Sequence, residues 1–138
     1  MDNKMDNRMD NKIYLGGISS ALATIHKMIV ENEFEDIEKR DGFKIGAAGR
    51  LQLLLTDPEF VWLRSMSQLM AFVDEAYFQK ESITDQQVEV VMTRVQDLLL
   101  RQSNSDFSNR YRRLLVTVPD LIIQHGHLKL AISAAKNS

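Results

Sequence analysis

One stretch, residues 57–77, limits the possible folds of this 138-residue chain more than any other. Its apolar side chains recur at helical spacing and cover roughly half of a helix circumference at about 100° per residue. Asp57 before Pro58 is typical of a helix start, because the carboxylate accepts from free N–H groups and proline has no donor to lose. A face this wide needs at least two neighbouring helices to cover it. It consists of Trp62, Leu63, Met66, Leu69, Met70, Phe72, Val73, Ala76 and Tyr77.

An earlier helix carries a narrower seam, whose members alternate steps of three and four residues. The glycine pair at 16–17 weakens its opening, so its firm part is expected to begin near Ser19. The far side of the same helix is also apolar. The seam consists of Leu15, Ile18, Leu22, Ile25 and Ile29, and the far side of Met28, Val30, Phe34 and Ile37.

The remaining sequence predicts further helices. A short one is expected over residues 47–55, and Thr84 with Gln87 forms a capping-box pattern that opens another. Two more are expected over residues 107–116 and from Val118-Pro119 to about Ala135. We therefore predict an all-α fold, a compact bundle of five to six helices around the central 57–77 helix.

The first twelve residues read MDNK, MDNR, MDNK. The charges of this repeat cancel, and methionine is its only apolar residue, so it offers little to bury. We predict a flexible N-terminal tail over residues 1–12, followed by a single helical domain over residues 13–138.

Composition limits the classes of partner. The 17 basic and 19 acidic residues give a net charge of −2, which provides no general attraction to nucleic acid or anionic lipid. The absence of cysteine suits a reducing cytosol. We expect no apolar run of membrane length and no signal peptide, and hence a cytoplasmic protein without a membrane partner.

Several segments resemble a family of small uncharacterised bacterial all-helical proteins. They are residues 22–27, residues 51–55 with Asp57-Pro58-Glu59-Phe60-Val61-Trp62-Leu63-Arg64, and, in the C-terminal part, residues 107–111 and 120–127. The resemblance extends over residues 22–132 and follows a DPxFxWLRPLSxLIxxID-type pattern. This chain departs from the family at Ser65 and Gln68, where the family often has proline and glutamate. It implies a helical fold and transfers no functional residue.

The histidines are the first candidates for metal chemistry. His125 and His127 are two residues apart, so on one regular helix they point about 200° apart and cannot both hold the same ion. A composite site from His26, a carboxylate and one C-terminal histidine remains an alternative. No serine elbow or cysteine nucleophile is present in the sequence. The sequence therefore assigns no catalytic, cofactor-binding or metal-binding residue.

Nucleic-acid binding is the weakest reading of the chain. A basic cluster surrounds Tyr111, and the central helix, which would be the recognition helix, carries mostly carboxylates. The cluster consists of Arg101, Arg110, Arg112 and Arg113, and the carboxylates are Glu59, Asp74 and Glu75.

The sequence favours a non-enzymatic interaction or regulatory module that pairs through helix faces with another protein or as a homodimer. The far side of the first helix motivates this reading, together with Phe60, Val61 and Phe78. The alternative is a small-molecule-binding or catalytic bundle. Its pocket would use Trp62, Met66, Met70 and Tyr77.

Overall fold

Six α-helices build the described part of the chain, which in this computed structural model comprises the backbone of residues 3–134 and the side chains of residues 11–134. The predicted all-α architecture is confirmed. The helices are α1 (Asn3–Asp41), α2 (Ala47–Thr56), α3 (Arg64–Phe78), α4 (Asp85–Val95), α5 (Asp106–Thr117) and α6 (Leu121–Ala134). A 3₁₀ segment, Pro58–Leu63, precedes α3, and a π-helical segment, Gln96–Leu100, follows α4.

The axis of the bundle is α1, which contacts α3, α4 and α6. Its predicted seam is confirmed, because all five seam side chains are completely buried. Polar contacts also join α1 to its neighbours: for example, the Tyr14 hydroxyl donates to the Ile132 carbonyl at 2.9 Å, and Ser19 Oγ donates to Asp74 Oδ1 at 2.6 Å. The 57–77 stretch contributes a core face as expected, but it packs beside α1 rather than at the centre.

The first helix begins earlier than expected, and the flexibility of residues 1–12 stays a prediction. The helix begins at Asn3 and passes through Gly16-Gly17, so the expected start near Ser19 is wrong. The end of the repeat also contacts the bundle: Asn11 Nδ2 donates to the Ile83 carbonyl at 2.9 Å, and Lys12 Nζ lies 4.8 Å from the Tyr77 ring centroid. Contacts of this kind override a weak local helix propensity. Met1 and Asp2 lie outside the described residues.

The 57–77 stretch is not one continuous α-helix, as was expected. Asp57 is extended, and its Oδ1 accepts from the Glu59 N–H at 2.8 Å, so the predicted cap is confirmed. The next six residues form the tighter 3₁₀ segment. Three residues per turn place Phe60 and Leu63 on the same side, and both are buried. The change of period explains why Phe60, outside the predicted α-helical arc, belongs to the core.

The later helices begin close to their predicted positions. Thr84 and Gln87 form the predicted capping box of α4, and Ser105 accepts from the Ser108 N–H at the start of α5. The expected start of α6 at Val118-Pro119 is wrong. Asp120 has a φ of 69°, so the chain turns there and the helix begins at Leu121. The expected end near Ala135 lies outside the described residues.

The glycine pair on α1 provides a matched test of this packing. A Cβ on Gly17 would meet nothing within 4 Å, so Gly17→Ala should raise the free energy of unfolding by about 0.5–1 kcal/mol. A Cβ on Gly16 would lie 3.0 Å from Tyr77 Cε1, so Gly16→Ala must displace that ring and should gain less or lose stability. Urea denaturation measures both variants, and equal gains would contradict the close contact between α1 and α3.

Candidate functional site

A hydrogen bond between two buried polar side chains joins α5 to α6. Tyr111 Oη lies 2.8 Å from His125 Nδ1. The spacing of the inward residues places them there: Phe107 and Tyr111 are one helical turn apart on α5, and Leu121 and His125 are one turn apart on α6. Ring contacts extend the cluster from His125 through Tyr111 and Phe107 to Trp62, with centroid distances of 5.5, 5.6 and 5.6 Å.

Both members of this pair are held neutral. Burial raises the pKa of Tyr111 far above its ordinary value. Burial lowers the pKa of His125, and the nearby charges of Lys129 and Arg112 lower it further. Since Tyr111 is completely covered, the pair has no access to substrate. Its chemistry is that of a satisfied polar contact, which fixes how α5 and α6 pack.

Trp62 is only 6% exposed, so its predicted place in the core is confirmed. Met66 is completely buried beside it, whereas Met70 and Tyr77 are partly buried. The Trp62 Nε1 is a buried donor without a hydrogen-bond partner among the described residues. The described residues form four open surface clefts, and none of these clefts is lined by Trp62, Met66, Met70 or Tyr77.

The three histidines are separated in the fold. His125 is buried and His127 is exposed, so the expectation that they point apart is confirmed. His26 is partly buried, and burial lowers its pKa. Among residues 11–134 no group of three histidine, aspartate or glutamate side chains is placed to hold a metal ion.

Tyr111, at the centre of the basic cluster, is buried in the core. Arg110 and Arg113 line a cleft of about 430 Å³ whose opposite wall carries Glu33 and Asp36 of α1. Burial and the Asp36 carboxylate raise the pKa of Glu33, while Arg110 opposes this rise. Two arginines of the cluster therefore face carboxylates of the same chain, which weakens their attraction for phosphate.

On the far side of α1, Met28 and Val30 are partly buried by the rest of the chain, and a partner for this side stays a prediction. Phe34 and Ile37 are buried, and the Phe34 ring lies 5.1 Å from the Phe60 ring of the 3₁₀ segment. Of the residues that suggested a partner surface, Val61 and Phe78 are exposed.

Sequence reasoning missed the outer face of α6. One face of this helix is buried through Leu121, His125, Leu128 and Ile132. The opposite face exposes Ile123 (51%) and Leu130 (71%), with Gly126 and His127 between them and Ile122 at the edge. The available signal was that Leu121–Ala134 is apolar around its circumference and has no acidic residue. A helix that is apolar around its circumference is usually covered on more than one side.

One finding bears on the expectation that no apolar run has membrane length. Residues 11–41 of α1 are long and apolar enough to cross a membrane, by length and composition alone. In the apolar window of this segment 28% of the residues are buried, and the core helix of a soluble protein passes the same test. Polar residues such as Ser19, Thr24 and Lys27 separate the apolar ones, so no uninterrupted apolar run marks the segment in the sequence.

Comparison with known proteins finds no matching family model, curated protein or solved structure. The resemblance to small bacterial proteins therefore stays a prediction.

The Tyr111–His125 pair predicts a pH-dependent stability. Because the folded chain favours neutral His125, the unfolded chain binds a proton more readily, and stability should fall as the pH drops below about 6.5. At pH 8, Tyr111→Phe leaves a buried ring nitrogen without its partner and should lower the free energy of unfolding by about 1–3 kcal/mol.

Denaturant unfolding between pH 5 and pH 8 measures both effects. The pKa of His26 is lowered as well. His26→Gln and His125→Gln are therefore matched variants, each of which removes the contribution of one histidine to the pH dependence of the free energy of unfolding. An unchanged pH profile in His125→Gln would show that this histidine is not buried in neutral form.

Proposed function

We propose that this protein is a non-enzymatic interaction module that binds protein through the outer face of α6. The observation that carries this proposal is the pair of exposed aliphatic side chains, Ile123 and Leu130, on a helix whose opposite face is already buried. Single exposed apolar residues are ordinary on protein surfaces, whereas several of them on one helix indicate an interaction site.

Three features support α6 over the other exposed apolar positions. Ile122, Ile123 and Leu130 lie on one regular helix, so their positions are fixed relative to each other. The helix is held by α1 and α5, which makes the face rigid before binding. By contrast, the exposed Leu51 and Leu55 lie on α2, a helix without a fully buried residue.

A small-molecule-binding or catalytic bundle is the second candidate. It is favoured by the unpaired Trp62 Nε1, since a buried donor without a partner is unusual. It has less support because the Trp62 ring is packed against Phe107 and under the Arg110 guanidinium, 5.6 Å from each. The cysteine-free composition suits a reducing cytosol, where we propose that the module acts.

Site-specific photocrosslinking in the native host tests the interaction face. A photoreactive residue at Leu130 should yield a discrete protein adduct, because this side chain would be covered in the complex. The matched control places the same residue at Leu51, which is 59% exposed and apolar but lies on α2. An adduct at Leu130 that is no stronger than the one at Leu51 would contradict the proposal.

A further inference from the structure

We propose that the cleft between α1 and α5 binds a small zwitterion that carries both an ammonium and a carboxylate group, as a free amino acid does. Helix α1 provides an acidic wall of this cleft, and α5 provides a basic wall. No residue of α6 lines the cleft, so this site is separate from the face of the proposed protein interaction.

The acidic wall belongs to the C-terminal half of α1. Glu33 and Asp36 are three residues apart and lie on the same side of the helix, where two carboxylates repel each other. The pKa of Glu33 reflects this environment: burial raises it, the carboxylates of Asp36 and Glu59 raise it further, and Arg110 opposes the rise. A positive charge in front of this wall would relieve the repulsion.

The basic wall belongs to α5. Arg110 and Arg113 are likewise three residues apart, and both are exposed. Arg110 is partly neutralised, because its Nε donates to Asp106 Oδ1 at 3.2 Å. Within residues 11–134, no carboxylate oxygen lies within 4 Å of the Arg113 guanidinium. The Arg113 side chain is therefore available to donate two hydrogen bonds to a carboxylate of a ligand.

The two walls face each other without direct ion pairs. Among the described side chains, neither Glu33 nor Asp36 has a lysine or arginine nitrogen within 4 Å, although both face arginines across a cleft of about 430 Å³. Helix α5 packs mainly on α6 and on the 3₁₀ and π-helical segments, whereas α1 packs on α3, α4 and α6. Close packing of α1 on α5 therefore does not close the cleft, and charges of both signs line one opening.

The lining of the cleft favours a polar ligand with charges of both signs. Among the described residues that line it, only Leu114 is apolar, so an apolar ligand would bury little surface there. A simple anion would be attracted by Arg113 and repelled by the opposite carboxylates, and a simple cation would meet the reverse arrangement. A zwitterion can place its carboxylate against Arg113 and its ammonium against Glu33 and Asp36, and both contacts are charge-assisted hydrogen bonds.

The open position of the cleft implies weak binding. Asp36, Arg110 and Arg113 are exposed, so water and salt screen their charges. A ligand with few non-hydrogen atoms also has a low upper limit of affinity. We therefore expect a dissociation constant on the order of 1 mM, which increases with salt concentration.

Titrations followed by amide NMR spectra test the class of ligand. The probes are glycine, β-alanine and 4-aminobutyrate, in which a growing chain of methylene groups separates the ammonium from the carboxylate. Acetate, propionate and butyrate are the matched probes without the ammonium, and methylammonium, ethylammonium and propylammonium are those without the carboxylate. At least one zwitterion should bind about fivefold or more tightly than both of its single-charge counterparts, because it contacts both walls.

The shifted amides should lie in residues 32–36 and 110–117, which form the two walls. A carboxylate without an ammonium that binds as tightly as the zwitterion would show an anion site and overturn the proposal. The absence of saturable binding by all three zwitterions up to about 20 mM would overturn it as well.

Substitutions on the two walls test the residues. Glu33→Gln and Arg113→Gln should each weaken binding of the preferred zwitterion by about three- to tenfold, because each removes one charge that faces the ligand. The matched controls, Glu35→Gln and Arg101→Gln, remove exposed charges that lie outside the cleft and should bind as the wild type does. Circular dichroism checks that each variant is folded, and unchanged binding by Arg113→Gln would contradict the assignment.

An ion pair between Glu33 and Arg113 across the cleft is the competing arrangement. It predicts that the two substitutions are coupled in the free energy of unfolding, with the double variant losing less than the sum of the single losses. Such coupling without zwitterion binding would reject the ligand site. The proposed function fails separately, when photocrosslinking at Leu130 yields no adduct above the Leu51 control.

Discussion

The buried seam of α1 is the interaction on which the rest of the structure depends. Its five aliphatic side chains are completely removed from water, and each contributes about 1.5–3 kcal/mol relative to an exposed position. Helices α3 and α6 both pack on α1, so neither could keep its core face covered if α1 separated from them. The outer face of α6, and hence the proposed binding surface, is positioned by the same contact.

The α2 region is attached differently. This helix has no fully buried residue and is held mainly at its edges. Glu38 of α1 accepts from the Ile45 N–H at 2.7 Å and from Arg50 Nη2 at 3.2 Å, and the Arg50 guanidinium lies 5.0 Å from the Phe34 ring centroid. Regions with few buried apolar contacts open at lower free energy than the core. We therefore expect α2 to be the least stable helix.

Much of the fold could be predicted from the sequence because its signals are local. The seam of α1, the Asp57 cap and the capping box at Thr84 each depend on residues a few positions apart. The 3₁₀ segment could not be predicted, since its tighter period follows from how Phe60 and Leu63 fit against the rest of the core. The contacts of Asn11 with Ile83 and Asp85 likewise join residues more than 70 positions apart, and no local pattern predicts them.

The candidate site was less predictable for the same reason. The pairing of Tyr111 with His125 joins two helices, and no sequence motif connects these residues. The outer face of α6 was missed because periodicity identifies one apolar face of a helix and the fold decides which face is buried. Ile123 and Leu130 have spacing as regular as that of Leu121 and Leu128, so only the packing of α6 on α1 and α5 distinguishes the two pairs.

Native-state hydrogen exchange tests most directly whether α1 is the axis of the bundle. The amides of residues 15–29 should exchange only through global unfolding, with the highest opening free energy in the chain, whereas the amides of α2 should exchange through local opening at a lower free energy. Amides in residues 15–29 that exchange as readily as those of α2 would contradict this account.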